Sequence, residues 1–167
     1  MTVLVDEERA SEVRSLSALL GNVLTAVEST YLNAGVDLPE RRYWLMGEPV
    51  VDCEQLTVGF IQAFLGPPGD EASAPQRCDA IKSAVLQVQV WRCVPTTGPK
   101  GKQPTAFAIQ SAAMPLALDA YLLLDSAREL EQWDVMGPGL GVIATVEVIP
   151  TQGGYEGIML NLTTAIP

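Results

Sequence analysis

The chain has 167 residues, 48% of them apolar and 18% charged, with no histidine, and its formal net charge is −10. That length fits one domain spanning residues 1–167, with a core that needs neither disulfides nor a structural metal. The charge argues against a tight grip on exposed nucleic acid, which requires Lys or Arg against phosphates. The missing histidine removes the usual general base, the Ser/His and Cys/His nucleophile pairs and most transition-metal sites.

Asp6, Glu7 and Glu8 place negative charge at a helix start, and Leu16, Leu20, Val23, Val27 and Tyr31 then recur on one face. Gly35 predicts the C-terminal cap and Pro39 the stop. "RRYWLMGEPVVD" reads as a strand bent at Gly47 and Pro49. "EQLTVGFIQAFL" reads as a second strand, with Leu56, Val58, Phe60 and Phe64 on one face and Thr57, Gly59, Ile61 and Ala63 on the other. Both of its faces are therefore expected to be partly covered. After the long connector "LGPPGDEASAPQRCD", the stretch "KSAVLQVQVWRCV" alternates strictly. Ala84, Leu86, Val88 and Val90 point to a core, and Gln87 and Gln89 to water or a partner.

A second Pro/Gly loop, "PTTGPKGKQPT", holds Lys100 and Lys102. Residues 105–132 read as helical, with Thr105 as N-cap and Pro115 as a kink or a restart. "GPGLG" then separates this helix from "GVIATVEVI" and "YEGIMLNLTTAI", two strands joined by "PTQGG" as a hairpin with Ile158, Leu160, Leu162 and Ile166 inward. The order α-β-β-β-α-β-β predicts an α+β fold: a mostly antiparallel sheet of about five strands with two helices packed on one face.

Chemistry is sparse. No apolar run is expected to reach the roughly 18 to 20 residues of a membrane span, and the acidic N-terminus is unlike a secretory signal. Cys53, Cys78 and Cys93 form no CxxC motif and read as buried or half-buried thiols, with a Cys53–Cys78 disulfide as the alternative. Asp52 and Glu54, two apart on a strand, offer a paired-carboxylate acid/base site or merely an exposed strand end. Asp119 and Asp125 read as a solvated helix face. No catalytic, cofactor-binding or metal-ligating residue is assigned. The connectors 65–81 and 94–104 are long for a small domain, which marks functional loops or simply solvated ones. The first carries Asp70, Glu71 and Arg77 and the second Lys100 and Lys102; their opposite central charges suit a head-to-tail contact between copies, the kind that closes a ring.

The blocks "LPERRYWLMGEPVVDCEQLTVGF", "PGDEASAPQRCDAIKSAVLQVQVWRCVPT", "DAYLLLDSA" and "QGGYEGIMLNLTTAIP" together resemble, in the same order, the tail terminator proteins of long-tailed phages infecting actinobacteria. The resemblance implies a non-enzymatic virion protein that assembles in the host cytoplasm as a hexameric ring on the head-proximal end of the tail tube. Its implied partners are further copies of itself, the tail tube protein and the head-tail connector, with DNA passing through the lumen without specific binding and no membrane involved. On this reading Asp70, Glu71, Arg77, Gln87, Gln89, Lys100 and Lys102 are the candidate protein-interface residues. A head-to-tail stopper of the same neck is the alternative, although stoppers are chiefly small β-barrels. A small-molecule-binding or hydrolytic domain using Asp52 and Glu54 is the second alternative.

Overall fold

The computed structural model describes residues 7–68, 82–98, 101–132 and 142–166. The elements are α1 (Glu7–Asn33), β1 (Arg41–Met46), β2 (Gln55–Leu65), β3 (Lys82–Cys93), α2 (Ala106–Gln132), β4 (Ile143–Gln152) and β5 (Tyr155–Ala165). The strands form one sheet in the order β1-β2-β3-β5-β4, with α1 over β1 and β2 and α2 over β3, β5 and β4. This is the expected α+β order. The sheet is mixed, because β1 runs parallel to β2 while the other three pairings are antiparallel.

The parallel pair demands that residues 47–54 return across the sheet. Gly47 donates its N–H to the Phe60 carbonyl at 2.7 Å and turns back with φ 96°. Its own carbonyl then lies over Gly59, where a Cβ would come within 2.5 Å of the oxygen. Farther along, Gln55 Nε2 donates to the Val50 carbonyl at 3.1 Å. The crossover thus covers the face of β2 opposite the helices, and it buries Gln55 and Thr57. The expectation that both faces of β2 are covered holds, and Gly59 is glycine because a backbone passes directly above it.

The core lies between the sheet and the two helices. The α1 stripe contributes Leu20, Val23, Val27 and Tyr31, β3 contributes Ala84, Leu86, Val88 and Val90, and β5 contributes Ile158, Leu160 and Leu162. Two assignments on β2 change: a bulge between Phe60 and Gln62 shifts the register, so Ala63 pairs with core-side Ala84 and Phe64 with Ser83. Phe64 therefore leaves the face shared by Leu56 and Val58, since one extra residue reverses a period of two.

The helix ends follow local chemistry. Gly35 has φ 67°, donates to the Leu32 carbonyl, and lets Val36 donate to Tyr31, a Schellman closure. Thr105 Oγ1 accepts from the Ala108 N–H at 3.2 Å, the expected N-cap. The second helix runs unbroken through Pro115. By length and composition its segment Ala106–Leu130 is apolar enough to cross a membrane, with mean hydropathy 1.5 and 22% of the most apolar window buried. That corrects the expectation that no run is long enough, because Pro115 and isolated polar residues interrupt the apolar character too little. Here one side of the helix is packed on the sheet through Leu116, Leu122, Leu123, Ala127 and Leu130.

Candidate functional site

Strand alternation places Arg92 on the same side of β3 as Ala84, Leu86, Val88 and Val90, where a cation must find partners. It finds them on α2 and at the entry to β2. Arg92 Nε and Nη2 donate to the two Asp119 carboxylate oxygens, each at 2.9 Å, and Nη1 donates to Glu54 Oε2 at 2.8 Å. From α1, the Tyr31 hydroxyl donates to Asp119 Oδ1 at 2.9 Å. Asp119 is 1% exposed and Tyr31 fully buried. The bidentate fork fixes geometry as well as charge.

Electrostatics lock Arg92 and Tyr31 in single protonation states. Hydrogen bonding to Asp119 outweighs burial and holds the Arg92 guanidinium above its ordinary range. Burial, reinforced by the Asp119 charge and hydrogen bond, raises the Tyr31 phenol well above its usual value. Neither group exchanges protons near neutral pH, so the cluster works as a clamp joining α1, α2, β3 and the start of β2.

Three sequence expectations are corrected here. Asp119 does not sit on a solvated face; it is the buried anion that Arg92 requires. Asp52 and Glu54 do not share a strand face, because both precede β2 and Glu54 adopts a left-handed φ of 53°. Each carboxylate is held by its own arginine, Asp52 by Arg41 and Glu54 by Arg92. The cysteines Cys53 and Cys93 form a disulfide, with Cα atoms 5.1 Å apart. The antiparallel register that pairs Gln55 with Trp91 brings them opposite one another. Cys78 lies outside the described residues.

The opposite face of the sheet carries a directed polar ladder. Trp91 Nε1 donates to Gln89 Oε1 at 3.0 Å, Gln89 Nε2 to Gln87 Oε1 at 3.2 Å, and Gln87 Nε2 to Asn161 Oδ1 at 3.0 Å. Asn161 Nδ2 closes the chain on Glu147 Oε1 at 3.4 Å. Gln89 is buried rather than solvated, since Trp91 lies flat across Gly157, where a Cβ would meet the indole at 2.9 Å. Gln87 stays half-buried and Lys102 is exposed. Asp70, Glu71, Arg77 and Lys100 lie outside the described residues, so the complementary-loop pairing has no geometry to weigh.

Sequence reading missed Arg92 and the role of Tyr31. The available signal was parity: an arginine at an inward strand position, with an aspartate set within the apolar stretch 112–124 of the second helix. The cavities lined by described residues include two of several hundred Å³. One, about 520 Å³, lies between α1 and α2 and is lined by Asn22, Thr25, Ser29, Asn33 and Glu129 among others. The other, about 410 Å³, lies beside Val94, Pro95, Gln103 and Glu156. Neither is lined by Asp52 or Glu54. Among the described residues no three His, Cys, Asp or Glu side chains gather as metal ligands. In comparison with known proteins, the chain matches no family model and no curated protein.

Proposed function

We propose that the chain is a tail terminator, a ring-forming virion protein that ends polymerisation of a phage tail tube and offers a surface to the head connector. The observation that carries this reading is the α+β architecture with both helices on one face of the sheet, which is compatible with the small α+β proteins that the sequence resembles. Two helices of 27 residues each disfavour the stopper alternative, a small barrel. The hydrolytic alternative is disfavoured because its two carboxylates are separated and occupied by arginines. A net charge of −10 suits a ring through which DNA passes without adhering. Particles assembled without this chain should carry tails of uncontrolled length, scored by electron microscopy. Tails of normal length would refute the terminator role.

A further inference from the structure

The second helix is apolar on both sides. Its inner side is core, but Phe107, Met114, Leu118, Tyr121 and Leu124 lie on the outer side, Phe107 78% and Tyr121 66% exposed. With aromatic side chains presenting about 150–250 Å² each, the five residues expose apolar surface on the order of 500 Å², near the upper end of what a monomer shows. Among the described residues nothing covers this face.

A second apolar surface lies on the opposite flank of the same sheet. β1 is an edge strand, and Trp44 and Met46, which pair with Val58 and Phe60 and share their face, are exposed there, Met46 at 61%, with Leu32 at the end of α1. The balance of charge around the two surfaces differs in sign. Exposed Lys102 precedes the outer face of α2 and exposed Arg128 follows Leu124 on it, against one half-buried carboxylate, Asp125, on the same face. The β1 flank carries exposed Asp37, Glu40 and Glu48, while its arginines Arg41 and Arg42 are engaged by Asp52 and Glu28.

We infer that the outer face of α2 docks on the β1 flank of a second copy of this chain. The occupant follows from the two surfaces taken together. Each is apolar, they are borne on opposite flanks, and their charged rims are complementary, which steers one to the other rather than to itself. An anionic membrane is disfavoured by the chain's own negative charge. Because the two patches differ, the contact is heterologous and leaves each copy with one free patch, so it propagates until it closes. A rim beyond the apolar patch completes the roughly 800 Å² per partner of a stable interface. The number of copies in the closed ring rests on the terminator reading; the contact itself does not.

The test uses the full chain and two variants, Met114→Glu/Leu118→Glu on α2 and Met46→Glu on the β1 flank, with sedimentation up to about 1 mM. The parent should self-associate, and each variant alone should remain monomeric with unchanged circular dichroism and Tm, since the substituted side chains are exposed. Mixed one to one, the variants should form a heterodimer and nothing larger, because each retains the patch that the other lacks. A parent that stays monomeric throughout, or variants that assemble like it, would overturn the contact. Loss of assembly in the α2 variant alone would indicate a symmetric α2–α2 pair and equally overturn it, as would binding of the parent to neutral phosphatidylcholine vesicles through α2. Uncontrolled tail length in particles lacking the chain, together with unaltered assembly of both variants, would refute this contact and leave the terminator role standing.

Discussion

Replacing Asp119 with Ala would remove the acceptor for three hydrogen bonds at once, two from Arg92 and one from Tyr31. The Arg92 side chain is 14% exposed and would keep only Glu54, itself 45% exposed, as a counter-charge. Breaking one side of a buried ion pair costs about 3–5 kcal/mol, because the surviving charge stays desolvated. Residual pairing with Glu54 places the ionic part near the lower limit, and the orphaned phenol contributes about 1 kcal/mol more. The expected loss is therefore about 4 kcal/mol, a large share of the roughly 5–15 kcal/mol that holds a domain of this kind. At about 2–4 °C per kcal/mol the midpoint of thermal unfolding should fall by about 8–16 °C.

Urea unfolding of the parent, Asp119→Ala, Arg92→Met and the double variant Arg92→Met/Asp119→Ala would isolate the pairing energy. Removing both charges leaves no buried ion, so the double variant should be more stable than Asp119→Ala alone. A loss below about 1 kcal/mol for Asp119→Ala, or a double variant as damaged as the two singles summed, would refute the clamp.

Tyr31→Phe tests the direction of the phenol shift. Because the folded phenol is held above the ordinary value of about 10, stabilisation is complete below that pH and declines above it as the unfolded chain ionises first; the variant should show a flatter fall in urea midpoint between about pH 9 and 11. Gly59→Ala would drive a methyl into the Gly47 carbonyl at 2.5 Å, and displacing that crossover should cost about 1–3 kcal/mol by urea denaturation, whereas half-buried Gly21, with open space around it, should tolerate Ala. The Cys53–Cys93 bridge closes a separation of 40 residues, so Cys53→Ser/Cys93→Ser should lose about 2–4 kcal/mol; an unchanged urea midpoint, or two extra reactive thiols in the parent, would refute the pairing.

What was legible in the sequence was local and periodic. The α1 stripe ending at Tyr31 and the alternation Ala84, Leu86, Val88, Val90 each repeat within one element, and both define the core. What escaped depended on register between distant segments. Nothing local to "RRYWLM" says that it runs parallel to β2, because that follows from where residues 47–54 travel. The Cys53–Cys93 bridge needs the offset of β2 against β3, and the bulge at Phe60 and Gln62 must be known before Phe64 can be placed. Arg92 and Asp119 are separated by 27 residues, and only their shared burial makes either intelligible.

The second helix shows a different limit of periodic reading. A hydrophobic stripe is visible only against polar residues on the other side, and between Ala106 and Leu130 there is little to contrast with. Apolar residues needed for the core and those presented outward therefore merge into one signal, which by composition alone equals that of a membrane span. Asp119 breaks the symmetry. A buried aspartate is tolerable only where a cation waits, and Arg92 on β3 determines which side of the helix turns inward. Once that side is set, Phe107, Met114, Leu118 and Tyr121 must face outward, so the internal ion pair also orients the external apolar surface. A substitution that frees Asp119 from Arg92 should then disturb self-association as well as stability, whereas changes on the outer face should disturb association alone.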